Sequence, residues 1–179
     1  MTDILRGYAK KIHDAIVGAI EPDGGVFAGI AMIQRAKKIM MVGNGGSAAT
    51  CSHIGFDLMW AAKSAPVVNL CEPGALTSLG NDVGFDDVFA KQVGWHSTPG
   101  GLLIALSCSG NSLNILNAAE EAKRRHMDVM TLSGFSPYNS LRKLGDLNIY
   151  VPSSEYGIVQ IAHEAILHCM VDRMAEDHK

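Results

Sequence analysis

The chain has 179 residues, of which 47% are hydrophobic and 18% are charged, and its formal net charge is −3. This length and apolar content suit one domain with a substantial core, and they exclude a mainly disordered chain. The slightly acidic balance disfavours recruitment by nucleic acid or by an anionic membrane, so we expect neither as a partner.

Two helices are predicted first, over residues 3–20 and 26–36, because apolar side chains recur there at helical spacing. The pattern then changes to short continuous apolar runs, which are typical of strands buried on both faces of a parallel sheet. These runs cover residues 38–42, 67–70, 102–106, 129–132 and 147–151. Helical stretches are predicted near 47–61, 74–95 (where the pattern allows a break), 112–126, 137–144 and 157–175.

Strands that alternate with helices indicate βαβ units. We therefore predict an α/β fold with a doubly wound, five-stranded parallel sheet flanked by helices and preceded by an extra N-terminal helix. Residues 1–179 are predicted to form a single domain, with 37–175 as the α/β core and 1–36 as helices that serve oligomerisation. In such sheets, ligands bind at the carboxyl ends of the strands.

The four cysteines, Cys51, Cys71, Cys108 and Cys169, are scattered and contain no C-x-x-C pair. Their spacing disfavours a zinc-thiolate site and a disulfide framework. The start of the chain does not read as an apolar signal segment, and no apolar run reaches membrane-spanning length. We therefore expect a cytoplasmic protein.

Two turns rich in Gly, Ser and Asn follow the first and third predicted strands. Gly43-Asn44-Gly45-Gly46-Ser47 precedes one helix, and Ser107-Cys108-Ser109-Gly110-Asn111-Ser112 precedes another. Glycines let the backbone approach an anion, and a helix start offers unpaired N–H groups and a positive dipole end. Ser47 is predicted both to cap its helix and to donate to a phosphate oxygen. An ordinary tight turn would explain either pattern alone, but the two together favour a phosphate site.

Neither turn has the spacing of a nucleotide P-loop, and the dinucleotide-binding pattern G-x-G-x-x-G is absent as well. Neither turn contains Lys, so neutral donors would have to bind the anion, which suits a monophosphate on a small molecule. A third polar stretch, Gly80-Asn81-Asp82, follows the second predicted strand. Asp82 could hold sugar hydroxyls there, and a loop cap is the alternative interpretation.

Two pairs of chemically active side chains lie at helical spacing. His53 and Asp57 are four residues apart on the helix after the first turn, while Gln160 and His168 share a stripe of the last helix with Glu164 between them. A carboxylate and an imidazole beside a bound sugar phosphate can move a proton next to a carbonyl. Two His and a carboxylate can instead bind a divalent metal, so these residues leave both chemistries open.

These motifs, together with Gly80-Asn81-Asp82-Val83-Gly84-Phe85 and Gln160-x-x-His163-x-x-x-x-His168, resemble those of the sugar isomerase (SIS) domain and especially of the phosphoheptose isomerases. The resemblance implies a flavodoxin-like strand order, a homotetramer with active sites between subunits, and zinc in many members, here one ion per subunit. The implied reaction converts sedoheptulose 7-phosphate to D-glycero-D-manno-heptose 7-phosphate by enediol proton transfer. That step belongs to heptose biosynthesis for lipopolysaccharide or capsule.

The resemblance also implies the site residues by position. The implied substrate-binding residues are Asn44, Gly45, Gly46, Ser47, Asn81, Asp82, Ser107, Cys108, Ser109, Ser112 and Gln160. The implied metal ligands are His53, Asp57, Gln160 and His168, and the implied catalytic residues are Asp57 and His168. Asp57 stands where the family usually has Glu, Cys108 replaces Thr, and Glu164 replaces an apolar residue. Asp57 would be the base, His168 would exchange protons with the substrate oxygens, and Glu164 is a substitute base.

Two other interpretations stay open at this point. The chain could isomerise a different sugar phosphate, or it could be a non-catalytic SIS regulatory protein that binds a protein partner. Asp57, Gln160 and His168 favour catalysis, because a pure scaffold does not need them.

Overall fold

The structure is a computed structural model that describes residues 2–20 and 25–178. Within them, five strands form one sheet: β1 (Ile39–Val42), β2 (Val67–Asn69), β3 (Leu102–Ser107), β4 (Asp128–Ser133) and β5 (Leu147–Tyr150). The same residues form seven α-helices: α1 (Thr2–Ile20), α2 (Gly25–Arg35), α3 (Gly46–Trp60), α4 (Pro73–Asp82), α5 (Val88–His96), α6 (Leu113–Arg124) and α7 (Tyr156–Glu176). Each strand coincides with a predicted apolar run to within one residue.

The sheet is parallel throughout, with strand order β2-β1-β3-β4-β5. This flavodoxin-like order confirms the predicted doubly wound α/β fold. β1 and β3 are neighbours, and Val42 at the end of β1 pairs with Ala105 near the end of β3. The turns that follow these two strands therefore emerge side by side at the carboxyl edge of the sheet.

Apolar side chains cover both faces of the sheet. Along β1, Ile39 and Met41 belong to one buried cluster, and Met40 and Val42 belong to the other, as the two-residue period of a strand requires. The first cluster also contains buried residues of α2, α3 and α7, while the second contains those of α5 and α6. Burial on both faces explains why the strands read as continuous apolar runs rather than as alternating ones.

The helix predicted over 137–144 is wrong, because the structure forms only a short 3-10 turn there, Leu141–Lys143. The buried side chain of Asn139 gives the physical reason. Its amide donates to the backbone carbonyls of Gly134 and Ser136 and holds this segment in a turn instead of a helix.

The predicted break within 74–95 is confirmed at Gly84, whose φ of +91° separates α4 from a 3-10 turn that leads into α5.

The third polar stretch lies in the last turn of α4, within the helix predicted near 74–95, so the alternative interpretation of Gly80-Asn81-Asp82 as a loop cap is wrong. Glu72 caps this helix by accepting a hydrogen bond from the backbone of Ala75, and Pro73 fills its first position. Those start signals nucleate a helix that continues through the polar residues. Asn81 and Asp82 are both exposed at its end, where their side chains bond each other.

The first helix is only partly covered by the rest of the chain. α1 packs along α7, with Ala15 buried and Ile12 and Ile16 against the core. Near its start, Ile4 is 79% exposed and Leu5 is 69% exposed. None of the helices described in 2–20 and 25–178 is long and apolar enough to cross a membrane.

Candidate active site

The first turn brings the backbone of α3 close to α7. Gly45 is the N-cap of α3 with a φ of +56°, a conformation that favours glycine. A Cβ on Gly46 would lie 2.6 Å from Oε1 of Gln160, so any larger residue here would displace the end of the Gln160 side chain. Ser47 is buried in the first turn of α3 and does not cap it, so its predicted capping function is wrong, because Gly45 already holds that position.

In the second turn, the hydroxyl at the N-cap does not form a capping hydrogen bond with the helix that follows. Ser112 is the N-cap of α6, yet its side chain makes no capping hydrogen bond. Instead, the hydroxyl of Ser107 lies 3.4 Å from that of Ser112. Gly110 turns the chain between them with a φ of +64°. Two hydroxyls therefore face each other beside the N-terminus of α6, where N–H groups and the helix dipole favour an anion.

A reciprocal amide pair joins the two turns. Nδ2 of Asn44 donates to Oδ1 of Asn114, and Nδ2 of Asn114 donates back to Oδ1 of Asn44, both at 2.9 Å. Asn114 is almost fully buried in the first turn of α6. Sequence reasoning missed this residue, since a single Asn after a predicted helix start gives no pattern of its own. The pair fixes the spacing between the turns, and it engages the side-chain amide of Asn44.

A cavity of about 220 Å³ lies where the two turns meet. Its lining residues are Asn44, Ser47, Leu106, Ser107, Cys108, Ser109, Ser112, Tyr156 and Gln160. Sequence reasoning missed Leu106 and Tyr156. None of these described lining residues is charged, so backbone N–H groups, hydroxyls and amides are the donors that an anion would meet. Burial raises the pKa of the Cys108 thiol, while hydrogen bonds with Ser47 and Gln160 act in the opposite direction.

A larger cavity of about 400 Å³ lies against α5 and the far end of α6. Lys91, Arg124 and Arg125 line it, but so do Asp87 and Glu121. Glu121 pairs with both arginines. This cavity lies at the end of α6 that carries the negative pole of the dipole, and its cations are partly neutralised. The smaller, uncharged cavity at the carboxyl edge of the sheet is therefore the stronger candidate for the substrate phosphate.

Helices α3 and α7 pack side by side, and both run away from the smaller cavity, because Gly46 faces Gln160 near their starts and Asp57 faces His168 further along. At the first level, Gly46 contacts the amide of Gln160, which also lines the cavity. Further along, Oδ2 of Asp57 lies 3.8 Å from Nδ1 of His168. The predicted pairs on the two helices therefore face each other, as their spacing along each helix requires.

His53 lies at the centre of the resulting cluster. Its Nε2 is 3.4 Å from Oδ2 of Asp57, and its Nδ1 is 3.1 Å from Oε1 of Glu164. The rings of His53 and His168 meet edge to face, with centroids 4.8 Å apart. The His53 side chain is 55% exposed, so the cluster opens at the surface. Two imidazoles and two carboxylates thus converge, which suits either proton transfer or metal binding.

The donor set fits a divalent metal such as zinc. His53, Glu164 and His168 each offer one ligand atom, and these atoms all lie within 4.8 Å of one another. Asp57, which lies on α3, contacts the imidazoles of both His53 and His168. Imidazole and carboxylate are ligands that zinc accepts. The predicted ligand Gln160 lies against Gly46 at the wall of the smaller cavity.

Asn81 and Asp82 are not among the residues that line the smaller cavity. Both are exposed at the end of α4. Among the residues that the structure describes, the two turns and Gln160 therefore meet at the smaller cavity, the His–carboxylate cluster lies further along α3 and α7, and the third stretch is not part of either.

Comparison with known proteins identifies the family of this chain. The family model described as "SIS domain" matches residues 4–134. A phosphoheptose isomerase from Rhodospirillum rubrum is 35% identical over 95% of this chain and 95% of its own length. The chain belongs to the SIS-domain phosphoheptose isomerase family. Another family member, from Nitratiruptor sp., is 40% identical over 82% of this chain and 81% of its own length.

Solved structures of the family share the whole fold. Phosphoheptose isomerase GmhA from Neisseria gonorrhoeae superposes with a TM-score of 0.86 at 30% identity, over 97% of this chain and 98% of that one. The phosphoheptose isomerase from Francisella tularensis superposes with a TM-score of 0.87 at 27% identity, over 100% of this chain and 99% of that one. The Vibrio vulnificus NanR protein complexed with ManNAc-6P gives 0.73 over 97% of this chain and 62% of that one, but at 15% identity that likeness shows the fold alone.

Proposed function

We propose that this chain is an isomerase that converts sedoheptulose 7-phosphate to D-glycero-D-manno-heptose 7-phosphate. The observation that carries the proposal is the pairing of one uncharged cavity, built by two helix starts, with a His–carboxylate cluster further along α3 and α7. An anion site and a proton-transfer site on the same pair of helices are what an aldose–ketose isomerase of a sugar phosphate needs.

The spacing of these two sites favours a long substrate. Ser47 lines the cavity, and Asp57 lies ten positions later on α3, which corresponds to about 15 Å of helix at 1.5 Å per residue. A substrate whose phosphate occupies the cavity therefore needs a chain of several carbons to place its carbonyl near Asp57. A heptulose phosphate meets this requirement better than a triose phosphate.

The reaction moves one proton between adjacent carbons and another between their oxygens. We assign the substrate phosphate to the Ser107–Ser112 turn, with Ser47 assisting. Asp57 removes the proton from the carbon beside the carbonyl and returns it to the former carbonyl carbon. His168 gives a proton to one oxygen and takes a proton from the other, so the enediol is formed and consumed without net loss of protons.

The metal is also part of this proposal. His53, Asp57 and His168 would hold one zinc ion per subunit, with Gln160 as the fourth ligand. Zinc, when bound, would polarise the carbonyl and hydroxyl oxygens of the substrate. The convergence of two imidazoles with carboxylates supports this assignment.

We further propose a cytoplasmic homotetramer that serves heptose biosynthesis for lipopolysaccharide or capsule. Exposed apolar side chains on α1 support assembly with further copies, and the oligomerising function of residues 1–36 is part of the proposal. All four cysteines are free thiols, which suits a reducing compartment. The identity of the named relatives over most of the chain supports catalysis rather than a purely regulatory function.

A turnover experiment tests the proposed reaction. The zinc-loaded protein is incubated with sedoheptulose 7-phosphate in D2O and followed by NMR, together with the variants Asp57→Asn and His168→Ala. We expect the wild type to form the aldose with deuterium on the carbon that receives the proton. Each variant should lose about a hundredfold or more in rate.

The exposed His96 of α5 provides a matched control for the loss of an imidazole, and His96→Ala should keep full activity. Equal turnover by His168→Ala and the wild type would reject His168 as a catalytic residue. No turnover by the wild type would reject the proposed substrate.

A further inference from the structure

Glu164 is a carboxylate of α7 that the mechanism above leaves unused. It lies one turn after Gln160 and one turn before His168, on the side of α7 that contacts α3. Its side chain is 39% exposed, so it could have pointed to solvent. Instead, its carboxylate points towards α3, where both oxygens lie within hydrogen-bond distance of side chains.

Both oxygens of Glu164 have partners on α3. Oε2 accepts a hydrogen bond from the hydroxyl of Thr50 at 3.3 Å, and Oε1 lies 3.1 Å from Nδ1 of His53. Thr50 is almost fully buried one helical turn before His53. The Thr50 hydroxyl thus fixes one oxygen of the carboxylate and leaves the other directed at the imidazole.

The two nitrogens of His53 therefore face different groups. Nδ1 faces Glu164, whereas Nε2 faces Asp57, whose same oxygen also approaches His168. A histidine that binds a metal through one ring nitrogen commonly donates the N–H of the other to a carboxylate. That hydrogen bond fixes the tautomer and the orientation of the ring, and it makes the ligating nitrogen more basic.

We infer that Glu164 is a positioning residue, which holds the proton of His53 on Nδ1 so that Nε2 presents its lone pair to the metal. The inference rests on the zinc site of the proposed function. Thr50 is the supporting residue, because its hydroxyl orients the carboxylate. Direct ligation by Glu164 is the competing arrangement, since its oxygen is also within 4.8 Å of a nitrogen of each histidine. The two hydrogen bonds that already occupy its oxygens favour the positioning arrangement.

Zinc titration with a competing chromophoric chelator tests the inference on the whole protein. Glu164→Leu removes the acceptor, and its dissociation constant for Zn²⁺ should rise about 10- to 100-fold. Glu164→Gln keeps an oxygen that can accept from Nδ1–H, so its loss should be smaller. Glu176→Gln makes the same change of charge at the end of α7 outside the cluster and should bind zinc as the wild type does. Circular dichroism checks that every variant keeps its helices.

A spectroscopic signature separates positioning from direct ligation. In the zinc-loaded wild type, 15N-labelled imidazole NMR should show the His53 proton on Nδ1, and Glu164→Leu should lose this preference. X-ray absorption should show the same number of nitrogen and oxygen ligands in both proteins. One ligand fewer in Glu164→Leu, or unchanged zinc affinity in that variant, would overturn the inference. A wild type that turns over substrate but binds no zinc would overturn both the metal site and this use of Glu164, while the isomerase proposal would stand.

Discussion

His163 and His168 lie on the same helix, yet their imidazoles have opposite environments. His168 is part of the open cluster, whereas His163 is buried, with Nε2 3.2 Å from the carbonyl oxygen of Ser133. Burial lowers the pKa of His163 to about 4, and the hydrogen bond to Ser133 opposes this only in part. His163 is therefore neutral in the folded protein at neutral pH, and it supports β4 rather than the chemistry.

This buried imidazole makes stability depend on pH in a defined direction. Between pH 6.5 and about 4, the unfolded chain binds a proton at His163 that the folded protein does not bind, so the free energy of unfolding falls as pH falls. From pH 7 to pH 4.5 this group should remove about 2 kcal/mol. The variant His163→Gln can still donate to Ser133. Between these two pH values, its free energy of unfolding in urea should fall by about 2 kcal/mol less than that of the wild type. An identical pH dependence in the variant and the wild type would contradict this explanation.

At the residue scale, the sequence predicted which side chains lie close together where a side chain follows a strand or repeats along a helix. Seven predicted positions, Asn44, Ser47, Ser107, Cys108, Ser109, Ser112 and Gln160, line one cavity, because parallel neighbouring strands bring their following turns together. Asn114 and Tyr156 could not be predicted, since their contacts depend on how whole helices pack. The uses assigned to Asp57, Gln160 and His168 stay predictions until variants are measured.

At the scale of elements, the turn after β3 depends on one glycine. A Cβ on Gly110 would lie 2.1 Å from Oδ1 of Asn139, and its φ of +64° is strained for any other residue. Asn139 cannot easily retreat, because its amide is bonded to the hydroxyl of Ser133 and to two carbonyls. The close packing of Gly110 on Asn139 therefore fixes the shape of the turn after β3.

Gly110→Ala should destabilise the protein by about 2 kcal/mol or more, because the backbone strain and the steric clash act together. Gly80→Ala in α4 is the matched control, since no atom lies within 4 Å of its added Cβ and alanine favours a helix. Guanidinium unfolding at equal protein concentration measures both variants. Equal stability of Gly110→Ala and the wild type would show that the turn can relax around the methyl group.

Element types followed from hydrophobic periodicity, and the errors arose from local polar contacts. The five strands were predictable because burial on both faces makes them continuous apolar runs. The segment 137–144 was not, since the side-chain hydrogen bonds of Asn139 override its helical pattern. The helix predicted near 74–95 includes Asn81 and Asp82, and only their alternative interpretation as a loop cap fails, because α4 begins at strong start signals, Glu72 and Pro73, and continues through them.

At the scale of the whole molecule, the exposed apolar side chains on α1 favour contact with another protein chain. Ile4 and Leu5 are exposed on the helix that precedes the sheet, and Phe56 and Trp60 of α3 stack on each other at the surface with ring centroids 6.3 Å apart. Covering such residues with further copies of the chain would remove apolar area from water. The proposed homotetramer is consistent with this distribution.

Light scattering at micromolar concentration should therefore give the mass of a tetramer. The double variant Ile4→Glu and Leu5→Glu should shift the protein to smaller species, because charges would enter the apolar contact. Trp95→Glu introduces the same kind of charge at an exposed aromatic residue of α5 and serves as the comparison. A monomeric wild type would contradict the assembly.

The most direct test of the account is a crystal structure with bound sedoheptulose 7-phosphate. We expect the phosphate to lie between the Gly43–Ser47 and Ser107–Ser112 turns, within hydrogen-bond reach of Ser47 and Ser107. We expect the carbonyl end of the sugar to lie beside Asp57 and His168. A phosphate bound instead among Lys91, Arg124 and Arg125, or a carbonyl directed away from the His–carboxylate cluster, would contradict it.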